Sequence, residues 1–209
     1  MGNIDYHIAL QPDGIYHVLN RANGNEHLFY NDENRHFFLR KFQLHVGPVA
    51  DLYAWCLLPN HFHLLIQVKP ELKIAAHQQQ VKSGFRQAAT NPLSNFIMER
   101  FSNWLNAYSK AFNKMYSRKG SLFTDYLRRI AITNDQQLAA TLFYIHRNPV
   151  HHGCCQHLDS WDWSSYQEYQ NRQYVLISPA FVQQFFGTLG AFKKFHSQPV
   201  YLKEAKVVE

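Results

Sequence analysis

The chain is poor in cysteine, with three in 209 residues, two of them adjacent at Cys154 and Cys155. That set makes neither a disulfide framework nor a zinc-knuckle spacing, so reduced thiols outside the function are expected. Charge is also scarce, at 17% of residues. No run approaches the roughly 18 apolar residues a bilayer span needs, and no N-terminal stretch joins a basic start to a long apolar segment. The expectation is a cytoplasmic protein with no membrane part. No internal repeat and no convincing linker divides the chain.

What remains is apolar and basic. At 46% apolar residues the length suffices for one sizeable core. The formal net charge is +6 and the isoelectric point about 9.2. With so few charges overall, the basic excess sits among aromatic side chains, which suits a polyanion and, more narrowly, unstacked bases. An ordinary basic domain has the same composition.

The most informative residues are His61, Phe62 and His63. On a strand, alternate side chains share a face, so the two imidazoles point one way and Phe62 the other. Such a pair can be half of a metal site or the solvent face of an amphipathic strand, and 13 histidines make coincidence common. Around it, Gly14 to Arg21 alternates as a strand, and Asp32 can cap a helix over Arg35 to Val46 that Pro48 ends. Ala50 to Leu57 and His61 to Val68 read as a hairpin joined at Leu58, Pro59 and Asn60. Pro70 to Pro92 is polar, with no strong apolar stripe, and reads as an insertion or lid. From Phe96, the positions Ile97, Phe101, Trp104, Leu105, Tyr108, Phe112 and Met115 recur at helical spacing and predict a buried face. Leu122 to Ile132 reads as extended. Thr133 with Gln136 predicts a capping box for a helix that stops near Asn148, because Pro149 disfavours helical geometry before it. The aromatic C-terminal part reads as irregular chain wrapping the core. Together these elements predict an α+β protein, a ferredoxin-like split β-α-β sandwich with a mostly antiparallel sheet and helices on one face.

On the helix from Asn134 to Asn148, the buried stripe is Leu138, Leu142 and Ile145. Tyr144 and Asn148 lie on a flank one turn apart, with Gln137 and Thr141, and project a phenol and a carboxamide together. If that flank faces the histidine strand, one site holds two imidazoles, an amide oxygen and a phenol. The ion then has a third protein ligand and open positions for a phosphate oxygen. Tyr108, Tyr116 and Tyr126 are the competing tyrosines. Tyr108 and Tyr116 lie on or beside the buried stripe, and Tyr126 has no ligand-type partner at helical spacing.

The string Leu58 to Val68, with Pro59, Asn60, His61, Phe62 and His63, resembles the histidine-hydrophobe-histidine motif of HUH endonucleases. Tyr144, Ile145, His146, Arg147, Asn148, Pro149 and Val150 resemble the catalytic helix of single-tyrosine transposases, especially the REP-associated branch. Further likeness lies in Tyr16 to Gly24, in Trp104 to Phe123, and in Trp163, Ser164, Ser165 and Tyr166. The resemblance implies a domain over residues 1–170 with residues 71–91 as insertion or lid, and a C-terminal extension, 171–209, packing on it. It implies a metal-dependent endonuclease and strand transferase acting on single-stranded DNA that carries a hairpin. Carried over, His61 and His63 are ligands of Mg or Mn, Asn148 is the third ligand, and Tyr144 is the nucleophile that forms a 5′-phosphotyrosine. Arg21, Lys110, Lys114, Arg118, Lys119, Arg128 and Arg129 are candidate phosphate contacts. Monomer and homodimer both occur among such enzymes and both stay open here. A catalytically retired DNA-binding protein that recognises hairpins or repeats is the alternative. A hydrolase with metal-bound water as nucleophile fits less well, because no acidic residue lies between Cys56 and Val68.

Overall fold

The computed structural model describes residues 6–81, 92–124 and 126–198. In chain order the elements are β1 (Ile15–Arg21), α1 (Asp32–His45), β2 (Ala50–Leu57), β3 (His61–Val68), α2 (Glu71–Val81), α3 (Pro92–Met115), β4 (Arg128–Ile132), α4 (Asp135–His151), α5 (Tyr166–Asn171), α6 (Pro179–Phe185) and α7 (Leu189–Ser197), with a 3-10 turn at Leu158–Ser160 before α5. The four strands form one antiparallel sheet in the order β2-β3-β1-β4. This is the split β-α-β arrangement expected, with the hairpin β2–β3 at the predicted bounds.

Register assigns the two faces. Phe62 stands opposite Asn20, Leu64 opposite Val18 and Ile66 opposite Tyr16, all on one face. There Phe62 meets Phe38 of α1 and Trp104 of α3, with ring centroids 5.1 and 5.3 Å apart. Phe38 and Trp104 also touch, and the indole donates to the Phe38 carbonyl at 3.0 Å. This aromatic layer is the main core. Met115, placed at the end of the α3 stripe, is instead exposed.

The opposite face carries His17, Leu65, His63, His61 and Ile130. Here α4 packs, its Tyr144 ring edge-on to His17 and His63. Helices therefore cover both faces, and the expectation that all share one face is corrected. The physical reason is that Leu65, Cys56 and Ile130 on this side are buried apolar residues that would otherwise meet water.

Four local expectations also shift. Asn31, and not Asp32, caps α1, accepting from the Asn34 N–H at 3.0 Å. Asn134, and not Thr133, caps α4 by accepting from Gln137 N–H at 2.8 Å, while the Gln137 side chain accepts from Thr133 N–H. Pro149 lies inside α4 and does not end it. The C-terminal part is helical over α5, α6 and α7, where the sequence suggested irregular chain.

Of the 71–91 insertion, Glu71–Val81 forms α2, anchored by the buried Ile74, and the remainder lies outside the described residues. Of the 171–209 extension, residues 199–209 lie outside them. Its described part docks on the rest of the chain: Phe181 stacks on Tyr53 at 3.8 Å, and the backbone N–H groups of Val175 and Leu176 donate to Glu168, which also accepts from the Trp55 indole. No helix among the described residues is long and apolar enough to cross a membrane.

Candidate active site

The first turns of β3 and the middle of α4 meet over a cleft of about 180 Å³ lined by Leu19, Asn20, Arg21, Asn60, His61, His63, Thr124, Arg128, Tyr144 and His152. Strand alternation aims His61 and His63 into it, with centroids 5.2 Å apart and planes nearly perpendicular. Tyr144, almost fully buried, places its ring 5.4 Å from that of His63. Asn148, one turn on, brings Oδ1 to 3.3 Å from Nε2 of His61. All four residues proposed from the sequence therefore converge. Of the competing tyrosines, Tyr108 is buried between α1 and α3, Tyr116 bonds Asn34, and Tyr126 lines a different groove.

The protonation pattern bears on what the cleft can hold. His61 Nδ1 lies 2.7 Å from Asn60 Oδ1, an oxygen that can only accept, so Nδ1 donates there and, in the neutral ring, Nε2 presents a lone pair. In that state the lone pair faces the Asn148 carboxamide, whose buried Nδ2 has no hydrogen-bond partner among the described residues and donates to it when the amide is turned. With Oδ1 towards His61 instead, the same two groups present a nitrogen and an oxygen lone pair to a cation between them. Ligands at about 2.1 Å and right angles on one Mg or Mn ion are about 3 Å apart, close to the spacing found. The donor set of two imidazoles and an amide oxygen suits Mn well and Mg acceptably. Burial, reinforced by His17, His61 and His152, holds the His63 pKa well below the ordinary value, so its imidazole is neutral and able to ligate near neutral pH. Among the described residues no group of three or more His, Cys, Asp or Glu is placed to hold a metal.

Two residues at the site escaped sequence reasoning. His17 on β1 is 1% exposed, and its Nε2 lies 2.9 Å from Nδ1 of His63. Its pKa is pushed down to about 3 by burial. Nothing in the sequence pairs β1 with β3 in this register, so His17 was one histidine among many. His152 stands 4.7 Å from the His61 ring. A signal for it existed, since Tyr144, Asn148 and His152 recur every four residues on one helical flank.

The seven basic candidates divide. Arg21 and Arg128 reach the cleft. Lys110, Lys114 and Lys119 are exposed and line none of it. Arg118 is spent on an ion pair with Glu26 and on the carbonyls of Gly120 and Ser121. Arg129 points to the other face of the sheet, buried, with Nε donating to the Ile8 carbonyl at 2.9 Å. Alternation on β4 sends Arg128 and Arg129 to opposite faces, so Arg129 stands away from this cleft.

No protein-family model matches the chain, and no curated protein matches its sequence. Among solved structures, the chain is similar to a REP-associated tyrosine transposase bound to a REP hairpin, at 15% identity and a TM-score of 0.57, over 80% of this chain and 86% of that one. An identity that low speaks to the backbone alone, and with the sheet order and the α4 placement it leads to one conclusion: this chain has the fold of a REP-associated tyrosine transposase.

Proposed function

We propose that the protein is a metal-dependent single-stranded DNA endonuclease and strand transferase that works on hairpin-bearing DNA through Tyr144. The observation that carries this reading is the convergence of Tyr144, His61 and His63 on one cleft with Arg21 and Arg128, with the buried Asn148 in contact with His61. The structural neighbour's bound hairpin supports the choice of substrate class. His61, His63 and Asn148 would hold a Mg or Mn ion, which when bound polarises the phosphodiester and offsets charge in the transition state.

Arg21 and Arg128 orient the DNA backbone by contact with phosphate oxygens. The Tyr144 phenol oxygen attacks the phosphorus. A bond forms between that oxygen and phosphorus, the bond from phosphorus to the 3′ oxygen breaks, and the proton lost by the phenol ends on the departing 3′-hydroxyl. The product is a 5′-phosphotyrosine that conserves the energy of the broken ester, so a second 3′-hydroxyl can rejoin it without a nucleotide cofactor.

The test is incubation of the protein with labelled hairpin-bearing single strands in Mn or Mg, read by denaturing electrophoresis. A protein-linked product is expected from wild type and none from Tyr144→Phe, with DNA binding retained. An adduct in the Phe variant would remove Tyr144 from its role. Hairpin binding with no adduct from wild type would instead favour a retired DNA-binding protein.

A further inference from the structure

We propose that His17 is a positioning residue for the metal ligand His63: it accepts the Nδ1–H of His63 and thereby commits the Nε2 lone pair of His63 to the cleft. The inference rests on the metal site proposed above and assigns a role to a residue outside the ligand set.

The geometry runs from the sheet upward. His63 pairs across the strands with Leu19, and His17 pairs with Leu65, so the two histidines are diagonal neighbours on the α4 side of the sheet. Their rings stack at 5.1 Å with planes 28° apart, and Nε2 of His17 lies 2.9 Å from Nδ1 of His63. One nitrogen must donate and the other accept. If His17 donates, His63 is left with its proton on Nε2, and that nitrogen has no lone pair for an ion. If His63 donates, Nε2 faces the cleft as a ligand, as Nε2 of His61 does through the parallel contact of its Nδ1 with Asn60. Ligating histidines in general give their second N–H to an acceptor that fixes tautomer and ring orientation. Asn60 serves His61 in this way, and His17 would serve His63.

The cost of this arrangement is visible. Nδ1 of His17 is buried with no hydrogen-bond partner among the described residues. A leucine or phenylalanine at this position would fill the space without stranding a polar atom, so packing alone does not account for a histidine. His17 also meets Tyr144 edge-on at 6.1 Å, so one imidazole buttresses both a ligand and the proposed nucleophile.

The experiment is calorimetric titration of the full chain with Mn²⁺, comparing wild type, His61→Ala, His17→Phe and His17→Gln. The Gln side chain can bring Oε1 to where Nε2 of His17 now accepts. Expected are binding by wild type that His61→Ala abolishes, affinity about 10- to 100-fold lower in His17→Phe, and recovery to near wild type in His17→Gln. Unchanged affinity in His17→Phe, or equal loss in both His17 variants, overturns the role of His17 while leaving the metal site intact. No Mn²⁺ binding by wild type overturns both. Should His17→Phe fail to fold, the ¹H–¹⁵N correlations of the His63 ring in Mg²⁺-loaded wild type still decide: a proton on Nδ1 is expected, and one on Nε2 overturns the proposal.

Discussion

His146 lies two residues from Tyr144 on the same helix and points the other way. Its Nδ1 is 2.9 Å from Nε2 of His196, and its Nε2 is 2.8 Å from the Ser165 hydroxyl. His196 Nδ1 faces the Phe192 carbonyl at 3.0 Å, so it must donate there. The remaining protons follow in one direction: His146 donates to His196, Ser165 donates to His146, and Trp55 N–H donates to Ser165. Every link is satisfied with both rings neutral. This chain ties α4 to strand β2 on one side and to α7 on the other, and so fixes the helix that presents Tyr144. Ser165→Ala leaves His146 Nε2 and the Trp55 N–H without their partner, and a loss of about 1–3 kcal/mol in unfolding free energy by urea denaturation is expected. An unchanged transition midpoint would show the network to be dispensable.

Among the elements, α4 explains most of what the sequence concealed. The pairing of Tyr144 with Asn148 was legible because helical spacing alone places them together. The cap lies one residue beyond the expected Thr133 because Thr133 and Asn134 are both good capping types, and only the bond from Gln137 N–H decides between them. Asn134→Ala is expected to cost about 1 kcal/mol and to lower the melting temperature by a few degrees, checked by circular dichroism; no change would return the role to Thr133. In the sequence, Pro149 predicts a stop. Its ring does remove one backbone donor, but it falls in the last turn, where His152 N–H still reaches the Asn148 carbonyl at 3.0 Å. The extra turn carries His152 to the cleft. The missing apolar stripe over α2, by contrast, has a physical reason, since a helix with one buried residue leaves little periodicity to detect.

At the scale of the whole molecule, alternation and helical spacing make the strands, the main helices and the four candidate site residues legible. What they could not supply was which faces meet. The partnership of His17 with His63 depends on strand order, and the covering of both sheet faces depends on how much apolar surface the histidine side retains. The buried histidines set a pH dependence for the same whole. His196 titrates at about 4, lowered by burial from an ordinary 6.5. Between those values the unfolded chain binds more protons than the folded one, so stability is full above 6.5 and falls as pH drops towards 4. His17 extends the loss lower, towards about 3. A melting temperature several degrees lower at pH 5 than at pH 7.5 is expected, and equal values would mean these rings are not neutral inside the fold.

The outer margin of β2 is already occupied. Leu57 N–H donates to the Trp163 carbonyl, Ser165 N–H to that of Trp55, and Ser178 N–H to that of Leu52. Beyond β4, Arg129 N–H is taken by the carbonyl of Tyr6. An incoming strand, whether from a second copy or from an extended peptide, finds these main-chain hydrogen-bonding positions filled by the protein's own chain. Among the described residues these edge positions are closed to strand addition, so the sheet that spaces the histidines is bordered by the protein's own chain.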